Sequence, residues 1–277
     1  MEPAKVLTIG GSDSGGAAGV QADIKTITLL GGYAMSVLTA VTAQNSVTVA
    51  AVEFLAPEFV IRQLDVVLED YGAAAIKTGF IGRADLIERL AERLAEWGGP
   101  LVVDPVLVNH RGESMFPPEV TAAYRAKLLP LATLVTPNRA EAAVLTGRSA
   151  HTLPELADQA QQLHELGARA VLLKAGHFGD EQVDLYFAGQ TVQEMRAPHL
   201  ETSNTHGSGD TLSAAIATGL GQGLTLPGAI ERAQQLTRAA LLAAREWKLG
   251  AGHGPLGHMS GVLYSGGMAR SRGSRKS

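Results

Sequence analysis

Asn204-Thr205-His206-Gly207-Ser208-Gly209-Asp210-Thr211-Leu212-Ser213-Ala214-Ala215-Ile216-Ala217 is a glycine turn that runs straight into a helix-forming segment. Two glycines stand two apart, an acid follows at once, and Leu212, Ile216 and Leu220 give the helix an apolar side. The first N–H groups of a helix have no carbonyl partners and lie at the positive end of its dipole. Such a turn therefore predicts an anion site. Asp210 stands at that start, where a carboxylate can take a proton from a hydroxyl. A phosphate cradle beside a base is what a small-molecule kinase needs. The same letters also read as a plain loop and helix cap, since Ser and Asp are favoured caps.

Working outward, short apolar runs alternate with longer helical patterns. Strands are expected at 6–9, 36–43, 47–54, 73–77, 101–103, 133–135, 170–173 and 183–187. Helices are expected at 21–30, 57–69, 84–97, 118–129, 138–146, 152–166, 210–220 and 227–247. Residues 84–97 carry a stripe at Leu86, Ile87, Leu90 and Leu94, and Thr152-x-x-Glu155 is a capping box. This rhythm predicts an α/β fold: a mainly parallel central sheet with helices on both faces. No composition break divides the chain, so residues 1–264 read as one domain. Residues 265–277 are Gly/Ser-rich and basic, and read as a disordered, solvated tail.

The totals exclude several classes. With 277 residues and a formal net charge of −4, no basic field points to nucleic acid. The absence of cysteine removes disulfides, thiolate metal sites and a Cys nucleophile, and fits a reducing cytoplasm. Val6–Ile9 is too short and too soon broken by glycines for a signal peptide or a membrane span.

In open α/β sheets ligands lie beyond the carboxyl ends of the strands. After the first strand comes Gly10-Gly11-Ser12-Asp13-Ser14-Gly15-Gly16-Ala17-Ala18-Gly19, which matches neither G-x-G-x-x-G nor a Walker A loop. Asp23 follows, either complementing a helix dipole or binding a substrate hydroxyl or amine. Gln44-Asn45 ends the second strand; an amide offers donor and acceptor together, as an aminopyrimidine edge does, although a surface turn uses Asn equally well. Phe80, after Lys77-Thr78-Gly79, can stack on a flat ring or pack in the core. Asp104, after a buried strand, suits Mg²⁺ held through water. Asn138-x-x-Glu141 has capping-box spacing, which is compatible with Glu141 facing the same crevice as Asp104. Lys174, ending the next strand, can neutralise nucleotide phosphates.

Taken in order, these pieces resemble a known family. They are Gly-Ser-Asp-Ser-Gly-Gly-x-Ala-Gly-x-Gln-Ala-Asp-x-Lys at 11–25, Thr42-Ala43-Gln44-Asn45, Lys77-Thr78-Gly79, Val103-Asp104-Pro105-Val106, Val135-Thr136-Pro137-Asn138 through Glu141, Leu173-Lys174-x-Gly176-His177, and Asn204-Thr205-His206-Gly207-x-Gly209. The chain is similar, from about residue 6 to 258, to the hydroxymethylpyrimidine/phosphomethylpyrimidine kinases of thiamine biosynthesis, within the ribokinase-like superfamily. The resemblance implies ATP and Mg²⁺ dependence, and phosphorylation of 4-amino-5-hydroxymethyl-2-methylpyrimidine and then of its monophosphate. It implies that Gln44 binds the pyrimidine with Gly11, Asp23, Phe80 and Val106. Gly207, Ser208, Gly209 and Asp210 would form the anion hole and base. Asn138, Glu141 and Lys174 would serve ATP, and Asp104 with Glu141 the metal. It also implies a homodimer, and the cysteine-free chain is expected in the cytoplasm.

Two departures stand out. Relatives usually carry Cys at the position of Asp210, whereas sugar and pyridoxal kinases carry Asp. Asn109-His110-Arg111-Gly112 replaces an Ala-Lys-Ser-Gly-like loop. A carboxylate of ordinary basicity is expected to suffice as base, and an extra acid is expected to slow the second phosphorylation. The nearest alternative is a pyridoxal or pyridoxine kinase. A non-catalytic pyrimidine-binding regulator is another, and a nicotinamide-dependent dehydrogenase would want the missing G-x-G-x-x-G.

Overall fold

Val6 and Leu7 are chain neighbours that serve two different cores. Strand side chains alternate between faces, and here both faces are covered. The computed structural model describes residues 2–109 and 111–259. The predicted tail at 265–277 lies outside the described residues, as does His110.

Nine strands form one sheet in the order β3-β2-β1-β4-β5-β6-β7-β8-β9. They are β1 (Lys5–Ser12), β2 (Tyr33–Gln44), β3 (Val49–Phe54), β4 (Ala75–Thr78), β5 (Leu101–Val103), β6 (Leu134–Val135), β7 (Val171–Phe178), β8 (Glu181–Phe187) and β9 (Gln193–Pro198). Strands β2, β1, β4, β5, β6 and β7 run parallel. Antiparallel β3 extends one edge, and β8 and β9 extend the other. One face packs Val6, Ala75, Val102, Leu134 and Leu172 against α1 (Gly19–Leu29), α7 (Ser208–Gly221) and α8 (Leu226–Ala244). The opposite face packs Leu7, Ile76, Val103, Val135 and Val171 against α2 (Pro57–Asp70), α3 (Ala84–Trp97), α4 (Pro118–Ala123), α5 (Arg139–Thr146) and α6 (Leu153–Glu165). A mainly parallel sheet with helices on both faces is thus what forms.

Two expectations need correction. The helix expected at 118–129 is α only to Ala123; it widens into a π-helical turn at Tyr124–Leu128 and tightens into a 3₁₀ turn at Leu129–Leu131. Pro130 lies in that last turn, where a continuing α-helix would clash with its ring. Strand β9 was not expected, because its exposed, mostly polar sequence shows no core-facing run.

Three strand pairs carry a register shift: opposite Gly10 and Gly11 of β1 the partner β2 has Thr39 to spare, opposite Ala43 and Gln44 of β2 the partner β3 has Ala50 to spare, and β7 has Ala175 to spare against β8. The chain order reverses between β1 and β4, with β2 on one side and β4 on the other. That topological switch point is where open α/β sheets leave a crevice.

Candidate active site

The amino ends of α1 and α7 meet over this crevice. Their approach depends on two glycines. Gly207, the N-cap of α7, has φ +86°, and a Cβ there would stand 1.9 Å from Ala17 O. Gly19 has φ +58°, and a Cβ there would stand 2.4 Å from Gly11 O. Both need the left-handed region and the missing side chain. The loop between β1 and α1 is folded around Asp13, whose carboxylate accepts from the N–H groups of Gly15, Ala17 and Ala18.

Asp210 sits between the two helix ends. Its Oδ2 accepts from Gly19 N at 3.1 Å, and its Oδ1 pairs with Lys77 Nζ at 2.8 Å. Lys77 is 1% exposed and also meets Asp23 Oδ1 and Oδ2 at 3.0 and 2.9 Å. Thr8 Oγ1 donates to Asp23 Oδ2 at 2.5 Å. Burial pulls the Lys77 ammonium down, but Asp210, Asp23 and Asp104 more than reverse this and hold it protonated. Burial pushes Asp23 up to about 7, against the pull of Lys77. For Asp210 burial also pushes up, yet Lys77 and the Gly19 amide win and hold it below the usual carboxylate range.

This corrects two expectations. Asp210 is not a carboxylate of ordinary basicity; its ion pair makes it a weaker base, though 16% of its side chain stays open to solvent. Asp23 is fully buried with both oxygens occupied, so it supports Lys77 and does not present itself to a ligand. Lys77 itself carried no assigned role in the sequence. A lone lysine inside the apolar strand β4 was the available signal.

Ser208 N donates to Thr205 O at 3.1 Å. The first-turn amides that helix geometry leaves for an anion are therefore those of Gly209 and Asp210. Gly209 faces the next cluster: a Cβ there would stand 3.2 Å from Lys174 Nζ and 3.5 Å from Asp104 Oδ2. Lys174 Nζ lies 3.4 Å from Asp104 Oδ1, which also receives Thr136 Oγ1 at 3.2 Å. Ser213 Oγ approaches Asp104 Oδ2 at 3.3 Å. Burial pulls Lys174 down, but Asp104 and Glu141 outweigh it and keep the ammonium charged.

Asn138 and Glu141 form the predicted capping box on α5: Asn138 Oδ1 accepts from Glu141 N at 2.9 Å, and Glu141 Oε2 from Asn138 N at 2.8 Å. Asn138 pairs with Lys174 across an isolated parallel bridge. Burial raises Glu141 to about 7, helped by Asp104 and opposed by Lys174. Among the described residues no group of three or more His, Cys, Asp or Glu converges. Two buried carboxylates beside a lysine fit a hard cation that takes its other ligands from water and phosphate, as Mg²⁺ does.

The remaining predicted residues lie on or beyond β1, β2, β4 and β5. Phe80 lies under Gly11, where a Cβ would stand 3.1 Å from its Cδ1, and it stacks on Phe54 and tilts against Phe116. A Cβ on the preceding Gly79 would be 3.8 Å from Asp210 Oδ1. Gln44 is half-buried at the end of β2, with Nε2 2.9 Å from His206 Nε2. Val106 is half-buried two residues beyond Asp104. Asn204 is structural: its Nδ2 donates to Ala244 O at 2.6 Å and Trp247 O at 3.0 Å, closing the end of α8.

A helix mouth with two first-turn amides, a paired acid and a lysine–carboxylate cluster therefore lie side by side at the strand ends. The phosphomethylpyrimidine kinase family profile matches residues 13–257. A hydroxymethylpyrimidine/phosphomethylpyrimidine kinase of Rhizobium meliloti (strain 1021) is 47% identical over 254 residues, covering 91% of this chain and 96% of that protein. Among solved structures, an ADP complex of Bacillus subtilis pyridoxal kinase superposes with a TM-score of 0.87 at 34% identity, covering 93% and 98% of the two chains. A phosphomethylpyrimidine kinase of Clostridium difficile gives 0.72 at 34%, covering 83% and 96%. Sequence, fold and the order of the strand-end residues lead to one conclusion: this chain is a member of the phosphomethylpyrimidine kinase family.

Proposed function

We propose that the protein transfers the γ-phosphoryl group of ATP to the hydroxymethyl oxygen of 4-amino-5-hydroxymethyl-2-methylpyrimidine, and then phosphorylates the monophosphate. The observation that carries this reading is Asp210 at the shared mouth of α1 and α7, in contact with Lys77. The pyrimidine lies against Phe80, Gly11 and Val106 with its edge on Gln44, and its CH₂OH reaches Asp210. The γ-phosphoryl group sits on the Gly209 and Asp210 amides, with Ser208 and Gly207 shaping the turn. Lys174, Asn138 and Glu141 serve the nucleotide on the β5–β7 side. Mg²⁺, when bound near Asp104 and Glu141, neutralises charge on the phosphate oxygens. Asp210 takes the hydroxyl proton as the oxygen attacks in line. A loose transition state leaves the acceptor proton in place until late, so a weak base suffices and positioning supplies most of the rate.

Incubation with Mg-ATP and the pyrimidine alcohol, followed by mass spectrometry, tests the reading; one or two added phosphates support it, and an unmodified alcohol sinks it. Comparing turnover on the alcohol and on the monophosphate tests the slow second step expected from Asp210; equal rates reject that step as limiting.

A pyridoxal kinase reading is favoured by Asp210 and by the higher TM-score of the Bacillus subtilis enzyme. The same assay with pyridoxal alongside separates the two by kcat/KM.

The reading includes a homodimer in the cytoplasm, where ATP is available. Edge strand β3 supports the dimer: Val47, Val49 and Val52 are exposed on and beside it, and Val41 beside them on β2. An unpaired apolar edge is a surface that proteins cover. Among the described residues no helix is long and apolar enough to cross a membrane.

A further inference from the structure

His206 reaches Gln44 from 162 residues away. Its place is set by the backbone: His206 N donates to Gly254 O at 3.2 Å, and the residue bridges Pro255. Its ring Nε2 lies 2.9 Å from Gln44 Nε2 and 3.7 Å from Asp13 Oδ2. On the other side of the amide, Thr42 Oγ1 lies 3.4 Å from Gln44 Oε1 and 2.9 Å from Ser12 O.

The two ends of a primary amide have nearly the same shape, so the hydrogens around it decide which end goes where. Thr42 has one hydroxyl hydrogen. Ser12 O can only accept, and it is the nearer partner, so the hydrogen goes there. Thr42 then turns a lone pair toward Gln44. An amide oxygen facing that lone pair gains nothing; an amide NH₂ facing it makes a bond. Turning the amide over about Cγ–Cδ satisfies Thr42 and brings Oε1 against His206. An imidazole nitrogen 2.9 Å from a carbonyl oxygen has to carry a hydrogen. The Asp13 carboxylate near the same nitrogen favours a hydrogen there over a lone pair.

We infer that His206 is a positioning residue: a hydrogen on its Nε2 holds the Gln44 amide in one sense and so fixes the donor–acceptor order offered to the substrate ring. This rests on the proposed contact between Gln44 and the pyrimidine. A 4-amino ring pairs with a primary amide through two hydrogen bonds, exocyclic N–H to Oε1 and ring nitrogen from Nε2–H. A 4-oxo ring offers the reverse order. A locked amide discriminates between them, and a free amide turns to follow either.

Two experiments decide it. In ¹⁵N-histidine-labelled wild-type protein, Nε2 of His206 is expected in the protonated range; a bare Nε2 overturns the inference. In the kinase assay at saturating Mg-ATP, His206→Leu is expected to cut the preference for the 4-amino over the 4-oxo alcohol roughly tenfold, what one neutral hydrogen bond is worth. The loss falls on KM for the pyrimidine, with KM for ATP unchanged. His206→Gln, whose amide can donate to Oε1, is expected to restore most of the preference. A folded His206→Leu enzyme with the wild-type preference overturns the inference. Should wild type turn over neither alcohol, the substrate assignment fails, and the nitrogen resonance still decides the state of His206.

Discussion

At the scale of single residues, Lys77 decides how the site is charged. Its ammonium is taken from water and shared between Asp23 and Asp210. Removing one member of a buried ion network leaves uncompensated charge, which costs about 3–5 kcal/mol. Lys77→Met is therefore expected to lose stability of that order in urea unfolding; a loss under about 1 kcal/mol would show that the carboxylates reprotonate or rehydrate freely. Asp210→Ala is expected to lower kcat by roughly 10²–10⁴-fold, the size of a general-base contribution. An unchanged kcat takes the base role away from Asp210. The contrast between these residues shows what the sequence could tell. Asp210 announces itself because its glycines and its helix are contiguous with it. Lys77 does not, because its partners lie 54 and 133 residues away. Asp23 was visible as an acid but not as a buried one, since depth is a property of the packed sheet. The Gln44–His206 contact was hidden for the same reason.

At the scale of elements, the clearest sequence signals were those that repeat within a helix. The stripe on α3 and the two capping boxes on α5 and α6 formed as expected. Edge strand β9 was illegible, because a strand with little to bury has no apolar code. The α5 box makes a pH prediction. Glu141 is raised from 4.5 to about 7 in the fold. Between those values the folded protein keeps a proton that the unfolded chain has lost, so stability falls as pH rises through that window. A 2.5-unit window corresponds to on the order of 3 kcal/mol. Glu141→Gln removes the titration but keeps an acceptor for Asn138 N. Denaturant melts are expected to show the variant gaining on wild type by about that amount between pH 4.5 and 8. A flat difference would mean that the carboxylate is ionised throughout.

At the scale of the whole molecule, both sheet edges are exposed, and the β3 edge is the apolar one. Val52→Lys with Val49→Lys puts two charges on β3, where both side chains are exposed. Light scattering behind size exclusion is expected to read twice 28.9 kDa for wild type and 28.9 kDa for the double variant. A monomeric wild type rejects the homodimer. The parallel order itself was legible, because strands and helices alternate along the chain. The antiparallel additions at both edges were not, because their partners are set by the packing of the finished sheet. The register shifts in the β1–β2, β2–β3 and β7–β8 pairs carry a last consequence. In each pair one surplus residue offsets the inside–outside parity of its strand against its neighbour from that point on, so what lies past the shift is no longer bound by the pattern before it. Selection can rewrite what the scaffold recognises without renegotiating how it holds together, and closely alike folds can thus come to serve different vitamins.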